Sequence, residues 1–189
     1  MSSPPPKAES VTREGAPDGF LPPDVFVPQV LEGGYTRLTI SCAPERLEAL
    51  HRDLVAALQA PLKLLYVQLT DRQHGQLDKP RQHVGVDLEL DLVLGALSQA
   101  RQLVYQDGRH QLWVRGALGE QIVLEELGVL YAYPDDPSFR DICQRHGLHE
   151  DPRGQTMAER DYVKVNFLAQ ADAQEERLVW KLGLQSWTG

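Results

Sequence analysis

Between Tyr35 and Thr70 the spacing of apolar residues changes twice, which restricts the fold more than any other feature of the chain. Leu38, Ile40 and Cys42 alternate with Arg37, Thr39 and Ser41, the two-residue period of a half-buried strand. From Pro44 onward Leu47, Leu50, Leu54, Val55 and Leu58 recur at helical spacing, so residues 44–59 are expected to form an amphipathic helix. A first helical turn accepts proline because its missing N–H would be unpaired there, and Pro61 ends the segment. Residues 62–70 are apolar on both faces, as in a strand inside a sheet.

The same alternation of periods continues. Val84, Val86 and Leu88 suggest a short strand, and residues 90–105 a helix. Asp107-Gly108 is a turn dipeptide. Residues 112–114 and 122–124 flank a glycine-containing loop and read as a β-hairpin, with a further strand over 128–133. Asp136-Pro137 pairs a capping carboxylate with proline at the first helical position, and Phe139, Ile142 and Cys143 form the buried stripe. Residues 162–168 alternate as a strand, with a helix continuing from the box Thr156-x-x-Glu159 as the open alternative. A last helix is expected from Asp172 to Leu182. Interleaved helices and hairpins imply a single α+β domain, with a mixed or mostly antiparallel sheet of about five to six strands and helices on one face.

The ends differ from this body. Seven of the 13 prolines lie at or before position 28, so residues 1–34 read as a Pro-rich tail, disordered at least to 19 and able to strap onto the body after 20. Residues 35–184 form the domain and 185–189 a second tail. Cys42 and Cys143 lie in apolar settings and read as buried, reduced thiols. No run approaches the roughly 18 apolar residues of a membrane span, and the N-terminus has no apolar signal region, so a cytoplasmic protein without a membrane partner is expected. The 14 arginines against 5 lysines point to a GC-rich, bacterial source. A net charge of −8 argues against a phosphate backbone as partner.

Chemistry has few candidates. Residues 71–83 form a polar stretch without periodicity, expected to be a loop, and Arg72, His74, Asp78, Lys79, Arg81 and His83 suit an acidic partner or an anionic ligand. Arg109 and His110 follow the Asp-Gly turn, expected at one edge of the sheet, where turn chemistry and ordinary surface composition also explain them. Six histidines occur without the short Cys/His spacings of a zinc site, and no cofactor or metal is expected. Cys143 and His146 share a helix, but Cys143 belongs to its apolar stripe, where burial quenches a thiol. Glu125-Glu126, Asp135-Asp136 and Glu175-Glu176 read as structural, the last pair in a first helical turn. The sequence therefore reads as an acidic, non-enzymatic interaction protein (adaptor, accessory or immunity-like) that binds a protein partner through polar loops. The alternative is an enzyme or small-molecule binder whose site joins residues 71–83 to 107–110.

Overall fold

The structure, a computed structural model, describes residues 3–165 and 167–187. In chain order the elements are β1 (Ala8–Ser10), β2 (Val25–Val30), β3 (Thr36–Ser41), α1 (Pro44–Ala56), β4 (Leu62–Asp71), β5 (Gly75–Leu88), α2 (Leu90–Gln99) and α3 (Arg101–Gln106). They continue with β6 (His110–Arg115), β7 (Gln121–Leu124), β8 (Leu130–Tyr133), α4 (Pro137–Arg145), β9 (His149–Glu150), β10 (Tyr162–Lys164), α5 (Ala169–Lys181) and β11 (Gln185–Ser186).

Nine strands join in the order β11-β5-β4-β6-β7-β8-β3-β2-β9, and β1 pairs separately with β10. Within the large sheet every pairing is antiparallel except β2 with β9. The α+β class and the mostly antiparallel sheet agree with the sequence; the strand number does not. Part of the excess comes from the termini, because β2 lies in the segment read as a tail and β11 begins the C-terminal one. The two-residue strand β9 is too short to show a period.

The stretch 71–83 is no loop. Asp71 Oδ1 accepts the backbone N–H groups of Gln73 and His74 at 2.9 and 3.1 Å, and Gly75 follows in the left-handed region at φ 79°. That is hairpin chemistry, and β5 starts at once. The alternation is hidden because the register slips between Gln68↔Arg81 and Thr70↔Gln76, bulging residues 77–80 out of the ladder. Pro80, which has no N–H to pair, sits in that bulge.

One face of the sheet carries the helices. Leu38, Ile40, Leu64, Leu112, Val114, Ile122 and Leu130 meet Leu50 and Leu54 of α1, Val93 and Leu97 of α2, Phe139 of α4 and Leu178 of α5 in one buried cluster. The helix expected over 90–105 is broken at Ala100, whose ψ is 26°. Ser98 Oγ donates to Leu94 O at 3.1 Å just upstream, a back-bond that bends helices. A smaller cluster on the other face joins Val123, Val129 and Tyr131 to Ala8 and Met157.

Residues 3–24, read from the sequence as tail, are held by specific contacts. β1 pairs with β10, Lys7 Nζ donates to Val104 O at 2.9 Å, and Ser10 Oγ donates to Asp18, which also pairs with Arg160. The box at Thr156 and Glu159 caps only a single 3₁₀ turn, Met157–Glu159, before β10. The strand expected over 162–168 is seen at Tyr162–Lys164; Asn166 lies outside the described residues. No described helix is long and apolar enough to cross a membrane.

Candidate functional site

The turn between α3 and β6 is built around an arginine with every donor engaged. Asp107, Arg109 and His110 are each 0–1% exposed. Arg109 grips Asp107 with Nε and Nη2, both at 2.9 Å. Its Nη1 reaches Asp172 at 2.6 Å and Glu175 at 3.3 Å, and Nη2 also donates to Leu168 O at 3.0 Å. Five N–H groups thus meet five acceptors, the full capacity of a guanidinium. Burial alone would weaken its charge, but the bonds to Asp107 and Asp172 outweigh this and hold Arg109 above its ordinary range. Asp107 Oδ2 also accepts the Leu168 N–H at 3.0 Å, so the cluster pins the start of α5 to the sheet.

Sequence reasoning placed Arg109 and His110 at a sheet edge. They are instead buried: β6 is an interior strand, paired with β4 and with β7, and α5 with the segment before it closes over the turn that carries Arg109. The His110 ring stacks on Tyr66 at 5.0 Å between centroids, and neither ring nitrogen has a hydrogen-bond partner among the described residues. Desolvation, with Lys7 and Arg109 nearby, holds this imidazole well below its ordinary range. Desolvation likewise lowers His51 to about 3 and Lys7 to about 7.

Beside this cluster, α5 and the β4–β5 hairpin border an open groove of about 510 Å³. Gln68 and His83 line one wall, Glu175, Glu176 and Trp180 the other, with Gln185 at the rim. Glu175 is fixed from behind: Tyr66 Oη donates to its Oε1, and Arg109 to its Oε2. Burial raises the Glu175 carboxyl despite these bonds, and burial together with the Glu175 charge raises the Tyr66 phenol. His83 Nδ1 is buried without a partner, and desolvation followed by the Arg81 charge lowers its imidazole. Glu176 and Trp180 are four residues apart on α5, hence neighbours on one helix face. Trp180 is 83% exposed.

The sequence candidates separate into three groups. Arg72 and Arg109 come together on one carboxylate, Asp172, at 2.8 and 2.6 Å, and His83 opens into the groove beside them. Arg81 and His74 both turn back onto Asp71, at 3.1 and 2.9 Å. Asp78 and Lys79 are exposed on the bulge, and neither forms an ion pair with another described residue. Residues 71–83 and 107–110 therefore lie at the same end of the sheet, joined where the Leu69 and Thr70 N–H groups bond Arg109 O.

Tyr66, Glu175, Glu176 and Trp180 were not among the sequence candidates. The Glu pair lies within α5 rather than in a first turn, because the helix begins at Ala169. Trp180 had a readable signal: at 100° per residue it falls roughly 180–200° from the buried Ala171 and Leu178, on the polar side of the helix. Cys42 and Cys143 are free and buried, and desolvation pushes each thiol up to about 12. Among the described residues no three His, Cys, Asp or Glu side chains group as a metal site. No protein-family model, curated protein or solved structure matches the chain.

Proposed function

We propose that this chain is a non-enzymatic interaction protein, of adaptor, accessory or immunity type, that binds a protein partner at the α5 groove and the adjoining hairpin. One observation carries the reading: Trp180 stands 83% exposed beside an open groove. His51 and His110 are 0% exposed and Arg109 is saturated. Large exposed aromatics at a concave surface are the usual anchors of protein interfaces. Two buried free thiols are in keeping with a reducing, cytoplasmic setting.

A small-molecule ligand in the same groove is the second reading, supported by the partnerless His83 Nδ1 and the raised Glu175. Affinity capture from a native lysate with the wild-type chain and with Trp180→Ala, K79E and the pair of changes separates them. The interaction reading expects a protein retained by the wild type and lost with Trp180→Ala. Equal retention by all variants removes the groove and hairpin as the contact, and extra mass of a few hundred daltons in native mass spectrometry favours the ligand.

A further inference from the structure

Among the residues that line the groove, Glu176 is the one charged side chain without a described partner. Both oxygens of Glu176 lie outside any described ion pair or side-chain hydrogen bond, and the Gln185 amide oxygen has no described partner, whereas Gln68 Oε1 already accepts from Arg81 and His83 Nδ1 is buried. The cations on the sheet side are engaged, Arg109 with Asp107 and Asp172, Arg72 with Asp172, Arg81 with Asp71, while Arg177 and Lys181 of α5, which form no described ion pair, lie on the side facing α2 rather than in the groove. An exposed indole stands over this surface, one helical turn from Glu176. From this we infer that the groove receives an arginine side chain from a basic segment of the protein partner, its guanidinium stacked on Trp180 and paired with Glu176.

Each part has a physical reason. Glu175 already accepts from Tyr66 and Arg109, so it shapes the groove while Glu176 supplies the pair of free oxygens that a planar guanidinium matches two at a time. Arginine rather than lysine suits the geometry, because five donors in one plane can stack on the indole and still reach scattered acceptors. The chain's net charge of −8 draws a basic segment toward it at low salt.

The inference rests on the interaction reading above, and its test separates the two. A labelled peptide with three arginines spaced by glycine and serine is titrated against the full chain by fluorescence anisotropy, beside its lysine and citrulline counterparts. The arginine peptide is expected to bind best and the citrulline peptide not at all. Trp180→Ala and Glu176→Gln should each weaken binding about tenfold, whereas Glu32→Gln, an exposed acid elsewhere on the surface, should leave it unchanged. Both groove positions are exposed, so these variants are expected to keep the fold. Equal binding of all three peptides, or an equal loss in the Glu32→Gln control, overturns the inference as general charge attraction. Sedimentation of a dimer that dissociates on Trp180→Ala, without peptide binding, assigns the groove to a second copy instead. A lysate protein lost with Trp180→Ala, with no peptide binding, sinks only the arginine assignment; failure of both assays removes the interaction reading too.

Discussion

Arg109 illustrates how one buried side chain holds distant parts of the chain. Its partners Asp107, Asp172 and Glu175 come from a turn and from α5, and Asp107 is wholly buried. Arg109→Leu leaves that carboxylate uncompensated, so the variant should lose about 3–5 kcal/mol in urea denaturation. An unchanged midpoint would show that the cluster adds nothing to stability. Histidines govern the acid side. Unfolded, an imidazole takes a proton near pH 6.5, whereas folded His51 resists to about 3. The unfolded chain binds more protons between these values, so stability is full above about pH 6.5 and falls as acid is added. His51 alone should cost about 2 kcal/mol on going from pH 7 to pH 5. His110 adds to this, while Glu175 and Glu125, raised by burial, oppose it. Asp71 and Asp172, held low, keep their full contribution above their unfolded pKa near 3.8 and begin to lose it only in stronger acid, outside this interval. Urea midpoints at pH 7 and pH 5 that coincide would contradict the assignment.

Among the elements, the N-terminal strap depends on a close approach at Gly108. A Cβ there would stand 2.5 Å from Lys7 O, a backbone atom that cannot swing aside. Gly108→Ala should therefore lift the strap at a cost of about 1–3 kcal/mol, seen as faster tryptic cleavage at exposed Arg13. Cleavage at the wild-type rate would show that the strap does not need this contact. The docked Lys7 amine gives up its proton at about pH 7 and the released one keeps it to about 10.5. Released chains bind more protons in that window, so docking should strengthen as pH rises from 7 to 9. Protection of Arg13 that weakens over the same interval would exclude Lys7 as the cause.

For the molecule as a whole, the two faces of the sheet are unequal in size. The helical face holds the main cluster, and the strap covers a smaller one around Val123, Val129 and Tyr131. Deleting residues 1–19 should keep the far-ultraviolet circular dichroism of the sheet and helices. It should also lower the thermal midpoint and raise binding of a hydrophobic dye, since Val123 and Tyr131 lose their cover. The rise in stability from pH 7 to 9 should disappear together with Lys7. Complete loss of structure would mean that the strap belongs to the folding unit.

Much of the element order was legible locally. The periods of Leu38–Cys42, Leu47–Leu58 and Leu112–Leu124 identified β3, α1 and the β6–β7 hairpin, and Asp136-Pro137 marked the start of α4, because burial of one face imposes its spacing on contiguous residues. By itself, then, the sequence determined the α+β class and most of the elements in its body. Of β5 only the half at residues 84–88 was legible; its first half, residues 75–83, escaped because the bulge and solvated faces erase the period, and β2, β9 and β11 escaped because tail composition or shortness hides them. The site escaped for a different reason. Arg109 and Asp172 are 63 residues apart, as Tyr66 and Glu175 are 109 apart. Whether such residues are surface groups or a buried cluster depends on which strands and helices become neighbours, and no local spacing records that. The tertiary structure alone decided that β6 lies inside the sheet, that α5 packs over Arg109, and that a groove opens beside Trp180.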